Sequence, residues 1–497
     1  MVEFETGPGT GRGAEVRTVR GVLRGTVREG VASFLGVPYA RAPVGPLRFR
    51  APEPVPPWDG VRPATAFGPT APKRPYAPPL DALLPDPEVG GDGCLNLNVW
   101  APWTVREGPG GGGRPVMVWI HGGSLLHGSS AVPVYDGTAF ARDGIVLVSI
   151  NYRLGVEGFG VLPDAPGNLG LRDQIAALAW VRENIEAFGG DPELVTVFGE
   201  SAGAVSIAAL LTSPLAQGLF RRAVLQSGPP IALSRGRARR ATRAVAARLG
   251  VPATAEALAR VDRERLLRAQ TEVTAGGSPL TGGRSFQIAV DGEVVPRDPV
   301  AALDEGASAE VDLMVGTTTE EYRLWFVPGG LIDRIGRLAQ RVVLWKAGVP
   351  ARTARVYRAG RTGEKPGEVL GAIATDRLLR IPLYRVADAR QRAGARGGTY
   401  VYEFAWPSPV LGLGACHALE LGFVFDSLDL PETRALTGPD APHGLAAAVH
   451  AAWVAFAATG DPGWRAWDPG RPVMTFGPGL PSLVEAPREA ERRAWER

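Results

Sequence analysis

Cysteine is nearly missing from this chain: Cys94 and Cys416 are the two in 497 residues. That scarcity excludes a disulfide scaffold and any Cys-rich metal site. Histidine is almost as rare, at five, so chemistry that needs an imidazole has few candidates. Lysine occurs at Lys73, Lys346 and Lys365, and arginine supplies the remaining positive charge. The net charge is only +3, too small an excess for a protein whose partner is a nucleic acid. No apolar run reaches the length of about 18 residues that a membrane-spanning helix needs. The closest, Ala446 to Ala458, is shorter and carries His450. The opening MVEFETGPGTGRG has acids where a secretion signal has bases, and no apolar stretch follows. Neither G-x-x-x-x-G-K nor H-E-x-x-H occurs, so no cofactor and no metal are expected. The expectation is a cytoplasmic protein with no nucleic-acid and no membrane partner.

What is present is a large core. Apolar residues make up 45% and charged residues 21%, the balance of a folded chain rather than a disordered one. Short continuous apolar runs recur at Leu95–Trp100, Val116–Ile120, Ile145–Ile150, Val195–Phe198, Ala223–Leu225, Leu313–Val315 and Tyr400–Phe404. They lack clean alternation, as strands buried on both faces do. Helical patterns lie between them. Leu171 to Phe188 repeats apolar residues on one face, with Asp191-Pro192 as the turn that follows, and Ala202 to Leu211 reads as a second helix. Strand and helix in alternation predict an α/β fold with a mostly parallel central sheet flanked by helices. Ala232–Leu267 and Trp325–Arg396 read as large helical excursions from that sheet, and no linker separates them as independent domains. The expectation is one domain over residues 1–497, with 1–13 a flexible N-terminal segment. Pro52–Gly93 is loop-like, and Pro109–Gly113 reads as a flexible surface connection. The arginine-rich stretch Arg235–Arg248 is a solvated helix face.

The most informative segment is Val195-Thr196-Val197-Phe198-Gly199-Glu200-Ser201-Ala202-Gly203-Ala204. It reads strand, then G-x-S-x-G, then helix. A serine on such a sharp turn is exposed in a strained backbone, and the helix beginning at Ala202 points free N–H groups at it. The alternative is a glycine-rich turn with Ser201 as an ordinary helix N-cap; the strand before the turn together with the helix after it favours the nucleophile. Upstream, the Val116–Ile120 strand runs into His121-Gly122-Gly123-Ser124-Leu125, a loop whose backbone N–H groups can approach a developing oxyanion.

A nucleophilic serine needs a base. The order serine, acid, histidine that goes with this motif removes His121 and His127. His450 lies in an alanine-rich helical run, and His443 follows Ala441-Pro442 in a loop. His417 sits in the loop Leu413–Glu420, about a dozen residues past the Tyr400–Phe404 strand. It is the candidate base. The acid should follow an intermediate strand, and Leu313–Gly316 leads to the adjacent pair Glu320-Glu321. On an extended segment neighbours point opposite ways, so one of the two can face His417. Physics alone leaves open which one, and leaves open two solvated acids.

Taken together these residues resemble the type-B carboxylesterases, the carboxylesterase/cholinesterase branch of the α/β hydrolases. The similarity begins at Phe34–Ala40 and Leu47–Arg50 and continues through Asn151–Gly155, Asn168–Gln174 and Phe188–Pro192. It runs on through Phe198–Ala204, Gln226–Gly228, His417–Leu421 and Trp453–Pro462. Within the family it is most similar to the bacterial para-nitrobenzyl-esterase-like enzymes. The resemblance implies the α/β-hydrolase fold and a serine carboxylesterase acting on neutral acyl or aryl esters. It implies Ser201, Glu321 and His417 as the catalytic triad, with Glu320 at the place of the family's Asp. It implies Gly123, Ser124 and Ala202 as oxyanion donors, and Glu200, Ser227 and Gly122 as residues supporting the triad. The implied partner is a small-molecule ester, and the implied chain is a monomer or weak homo-oligomer. An amidase, carbamate hydrolase or thioesterase would use the same triad, and a non-catalytic binding protein could share the scaffold. Three positions depart from the family pattern. Tyr322 replaces a glycine beside the acid. Ser124-Leu125 replaces a small residue followed by an aromatic, which alters the acyl-pocket wall. Cys94 matches a family cysteine whose common disulfide partner is replaced here by Ala71, so no bridge is expected.

Overall fold

The computed structural model describes residues 13–103, 113–275 and 284–496. The twelve strands along the main sheet are β1 (Gly13–Arg17), β2 (Val22–Arg28), β3 (Val31–Pro38), β4 (Asn96–Pro102), β5 (Arg114–Ile120), β6 (Val146–Ile150), β7 (Gly190–Glu200), β8 (Arg222–Gln226), β9 (Asp312–Thr318), β10 (Thr399–Phe404), β11 (Pro472–Phe476) and β12 (Ser482–Glu485). Their spatial order is β1-β2-β3-β4-β6-β5-β7-β8-β9-β10-β11-β12. From β6 across to β11 every neighbouring pair is parallel. The ends are antiparallel: β1 to β4, with β4 on β6, at one edge, and β12 at the other. The outcome is the α/β architecture read from the sequence.

The parallel strands explain why their runs show no alternation of apolar and polar residues. Val116, Val118 and Ile120 of β5 enter one core, while Met117 and Trp119 enter the other. The same split separates Val195 and Val197 from Phe198, and Leu313 and Val315 from Met314. Both faces are covered, so both parities must be apolar. On the first face lie α1 (Leu169–Asn184) and α2 (Ala202–Leu210), through Leu171, Leu178, Val181 and Ile207, and α3 (Ile381–Arg392), through Leu383 and Val386. On the second lies α4 (His443–Thr459), through Leu445, Val449, Trp453 and Phe456.

Several boundaries differ from the sequence reading. The helix read as Leu171–Phe188 ends at Asn184, and Ile185–Phe188 tighten into a 3₁₀ turn. Asp191-Pro192 is not a turn but lies within β7, where the register to β5 shifts between Arg114 and Val116. That irregularity accommodates a proline in a paired strand. His443 opens α4 instead of lying in a loop. The strands β1–β3, β11 and β12 lack long apolar runs, because they sit near sheet edges; β1 and β2 carry Arg and Thr among their apolar residues. Of the N-terminal segment, residues 1–12 lie outside the described residues, and Gly13 already pairs with Thr26. The Pro109–Gly113 tract falls outside the described residues except for Gly113. Cys94 and Cys416 are both buried and unbridged, and Ala71 is buried in the same core as Cys94.

Candidate active site

The junction of β7 and α2 is a sharp reversal with Ser201 at its apex, at φ 53° and ψ −121°. A non-glycine residue rarely adopts that conformation, so its surroundings must hold it. The Ser201 N–H donates to the Gln226 carbonyl at 2.8 Å, and the Ser201 carbonyl accepts from Val205 N–H at 2.9 Å. The turn also requires α2 to pass close to β5. A Cβ on Gly203 would lie 2.0 Å from the Ile120 carbonyl oxygen, so no larger residue fits there.

Beside the elbow, β5 ends in His121-Gly122-Gly123-Ser124-Leu125. Gly123, Ser124 and Leu125 take φ values of 106°, 56° and 62°. A Cβ on Gly123 would strike the His127 carbonyl at 2.2 Å. The Gly123 carbonyl accepts from Leu126 and His127 N–H, each at 2.9 Å, which folds the loop into a tight turn. The N–H groups of Gly123, Ser124 and Ala202 donate to no partner among the described residues. His121 is buried, its Nδ1 lies 2.8 Å from the Gly122 carbonyl, and burial lowers its pKa to about 4. It is therefore a neutral packed residue, its ring stacked on Tyr152.

His417 lies on the loop after β10, with its imidazole between two carboxylates. Its Nδ1 is 2.5 Å from Glu321 Oε2, and its Nε2 is 2.8 Å from Glu200 Oε1. Glu200 Oε1 is buried and has no other polar partner among the described residues. Glu321 is fully enclosed, and its other oxygen accepts from Ser227 Oγ at 2.6 Å and Thr318 N–H at 2.9 Å. Burial opposes charge on His417, but Glu200 and Glu321 outweigh it and hold the imidazole well above its ordinary range. A third carboxylate, Glu420, is buried close by. Burial raises its pKa to about 8, and the Glu200 and Glu321 charges add to the effect.

The adjacent glutamates separate as expected, though for a different reason. Glu320 and Glu321 lie in a turn after β9, not on an extended segment. Glu321 turns inward to His417. Glu320 faces the Leu413–Glu420 loop from outside, accepting from Ala415 N–H at 3.1 Å and from Arg323 at 3.3 Å. It is therefore not a solvated acid but a tether for the loop that carries His417. Tyr322 has ordinary right-handed angles, φ −61° and ψ −22°, so this turn does not require the family's glycine.

Ser201 and His417 line two adjoining cavities. One is walled by Tyr76, Leu80, Leu84, Gly123 and Glu200, and the other by Leu125, Leu126, Val205, Ile231 and Leu379. Trp325 borders both and stands 4.7 Å from the His417 ring. Sequence reading missed Trp325, Tyr76 and Glu420. Glu420 stood within the quoted His417–Leu421 motif, but no local pattern marks the two aromatics. His450 is held in α4 by a 2.7 Å contact from Nδ1 to the Val424 carbonyl, and His443 is exposed. Cys416 is buried, and burial pushes its thiol pKa up, so it is no second nucleophile.

The model of the carboxylesterase family matches residues 12–475. The chain belongs to the carboxylesterase family. It is 38% identical over 464 residues to the para-nitrobenzyl esterase of Bacillus subtilis (strain 168), covering 91% of each chain. It is likewise 38% identical over 465 residues to the phenmedipham hydrolase of Pseudarthrobacter oxydans, covering 90% of each. Among solved structures, the Geobacillus stearothermophilus carboxylesterase EST55 superposes with a TM-score of 0.85 at 37% identity, covering 97% of this chain and 100% of that one. The α/β-hydrolase fold and carboxylic ester hydrolysis follow from this membership. No helix among the described residues is long and apolar enough to cross a membrane.

Proposed function

We propose that this carboxylesterase works through an acyl-enzyme on Ser201, with His417 as base, Glu321 as orienting acid, and Gly123, Ser124 and Ala202 N–H groups as the oxyanion hole. The observation that carries the reading is the Glu321–His417 contact of 2.5 Å, made beside a positive-φ serine that lines the same cavities. Ser201 Oγ attacks the ester carbonyl carbon as His417 Nε2 takes its proton. The carbonyl oxygen becomes an oxyanion, where each N–H donor is worth about 2.7–4 kcal/mol. Collapse expels the alcohol oxygen, which takes the proton from His417. Water then loses a proton to His417, attacks the acyl carbon, and releases the acid while Ser201 regains its proton. Glu321 holds the imidazole in one tautomer and stabilises its charge. Ser227 and Thr318 N–H keep Glu321 aimed, Gly122 leaves room beside the elbow, and Glu200 adds negative charge at Nε2.

The substrates are neutral esters of small to medium size, including aryl esters. Predominantly apolar walls support this, as does a relative named para-nitrobenzyl esterase. Leu125, at the position that departs from the family pattern, borders the larger cavity. The whole chain acts as one domain, as a monomer or weak homo-oligomer in a bacterial cytoplasm, with no nucleic-acid partner. A fluorophosphonate probe should label the native chain covalently, and Ser201→Ala should lose both labelling and p-nitrophenyl ester turnover by about a million-fold at an unchanged melting temperature. Retained turnover in that variant would refute the assignment. Matched ester, thioester, carbamate and anilide substrates separate ester preference from the other acyl chemistries.

A further inference from the structure

The helix Arg337–Lys346, within the second excursion, turns the wrong face outward for a free-standing surface helix. Gln340 and Leu344 are its buried residues. On the opposite face Leu338 is 76% exposed and Trp345 78% exposed, with Val342 exposed between them. At helical spacing these three form one stripe, and Arg337 and Arg341 border it on one side. Trp345 is the one exposed tryptophan among the described residues.

Charge along this segment of the chain, between Asp333 and Glu364, is one-sided. From Arg334 to Arg361 the chain has eight Arg and Lys and no Asp or Glu, against +3 for the whole molecule. The charges are therefore not evenly spread along the chain, as the small total suggests. Arg334, Arg337, Arg341, Lys346, Arg352 and Arg355 are exposed. None of them forms an ion pair with a carboxylate among the described residues. Two copies of this chain would meet here cation on cation, which disfavours self-association. An exposed Leu–Val–Trp stripe bordered by guanidinium groups suits a fluid, negatively charged interface, where apolar side chains enter and cations stay at the headgroups.

We propose that this face docks on an anionic lipid surface. The expectation of no membrane partner rested on the lack of a spanning segment, and peripheral docking needs none. The surface is also close to the site. Leu344, on the inner side of the helix, belongs to an apolar cluster with Tyr322 and Phe326, and Trp325 packs against that cluster. Trp325 in turn walls both cavities beside Ser201. The docking claim does not depend on the chemistry proposed for Ser201.

The test is flotation of the full chain with vesicles of pure phosphatidylcholine or of equal parts phosphatidylcholine and phosphatidylglycerol. Binding is expected to the anionic vesicles alone and to fall as salt rises. Two variants separate the contributions: Leu338→Ser with Trp345→Ser, and Arg337→Glu with Arg341→Glu. Each should lower the bound fraction about tenfold and leave hydrolysis of a water-soluble ester unchanged, which also shows that the chain is folded. Absence of binding to anionic vesicles would overturn the proposal, as would binding that either variant leaves intact. Retention on immobilised poly-glutamate without vesicle binding would likewise overturn it, in favour of an acidic protein partner.

Discussion

His417 touches a carboxylate at each ring nitrogen, Glu321 at Nδ1 and Glu200 at Nε2. Both favour the protonated ring, and a protonated ring cannot accept the serine proton. The rate should therefore rise with pH as His417 loses its proton, with the acidic limb above the usual imidazole range. Glu200→Gln removes one of the two charges that raise this pKa. It should move the acidic limb of kcat/KM to lower pH, read from a pH–rate profile with a soluble ester. An unmoved limb would show that Glu200 does not act on the base. Glu321→Gln keeps the shape but loses the charge, and kcat should fall about ten-thousand-fold. Glu320→Gln should cost less than about tenfold, because Glu320 touches Ala415 N–H and Arg323 and not the imidazole. A larger loss for Glu320→Gln in the same kinetic comparison would move the acid by one residue. Local sequence could not choose between these neighbours, since both follow the same strand. Family resemblance distinguishes them, and the inward turn of Glu321 comes from the packing of a loop 96 residues away.

At the scale of elements, the strand–elbow–helix unit was legible because all its determinants lie within about a dozen residues of one another. The parallel strands were legible for the same local reason, as apolar runs covered on both faces. The edge strands were not, because half-exposed antiparallel strands resemble loops when read singly. Nor could any local pattern show what holds the Pro52–Gly93 loop against the oxyanion turn. Lys73 and Asp86 form a buried ion pair there. Lys73 also donates to the Pro87 carbonyl at 2.9 Å, and Asp86 accepts from Gly128 N–H at 3.0 Å. Tyr76 stacks on His127 at 4.1 Å, so the cavity wall and the turn at Gly123 share one clamp. Lys73→Met would leave Asp86 buried without its cation, a change that typically costs about 3–5 kcal/mol. Urea unfolding should show that loss, and KM should rise more than kcat falls as the Tyr76 wall loosens. Unchanged stability would mean that the loop holds without the pair.

At the scale of the whole molecule, residues quoted for the family likeness prove to be packing contacts between distant segments. Arg153 donates to both Asp173 oxygens, at 2.8 Å from Nε and 2.6 Å from Nη2, and to the Arg50 carbonyl at 2.7 Å. One buried guanidinium thereby ties the loop after β6, helix α1 and the N-terminal region together. Each of the two cores encloses one thiol, Cys94 in the first and Cys416 in the second, and burial raises the Cys94 pKa to about 12. A thiol reagent such as dithionitrobenzoate should find neither cysteine in the native chain and both after denaturation; fast native reaction would show that the core opens. The sequence by itself determined the parallel strands and their alternation with helices, the elbow at Ser201 and the loop at Gly123, because each depends on neighbours in the chain. Tertiary structure alone decided the inward turn of Glu321, the Lys73–Asp86 clamp, the reach of Trp325 to His417 and the stripe left uncovered at Leu338. Those depend on which distant surfaces meet, and sequence separation carries no such information.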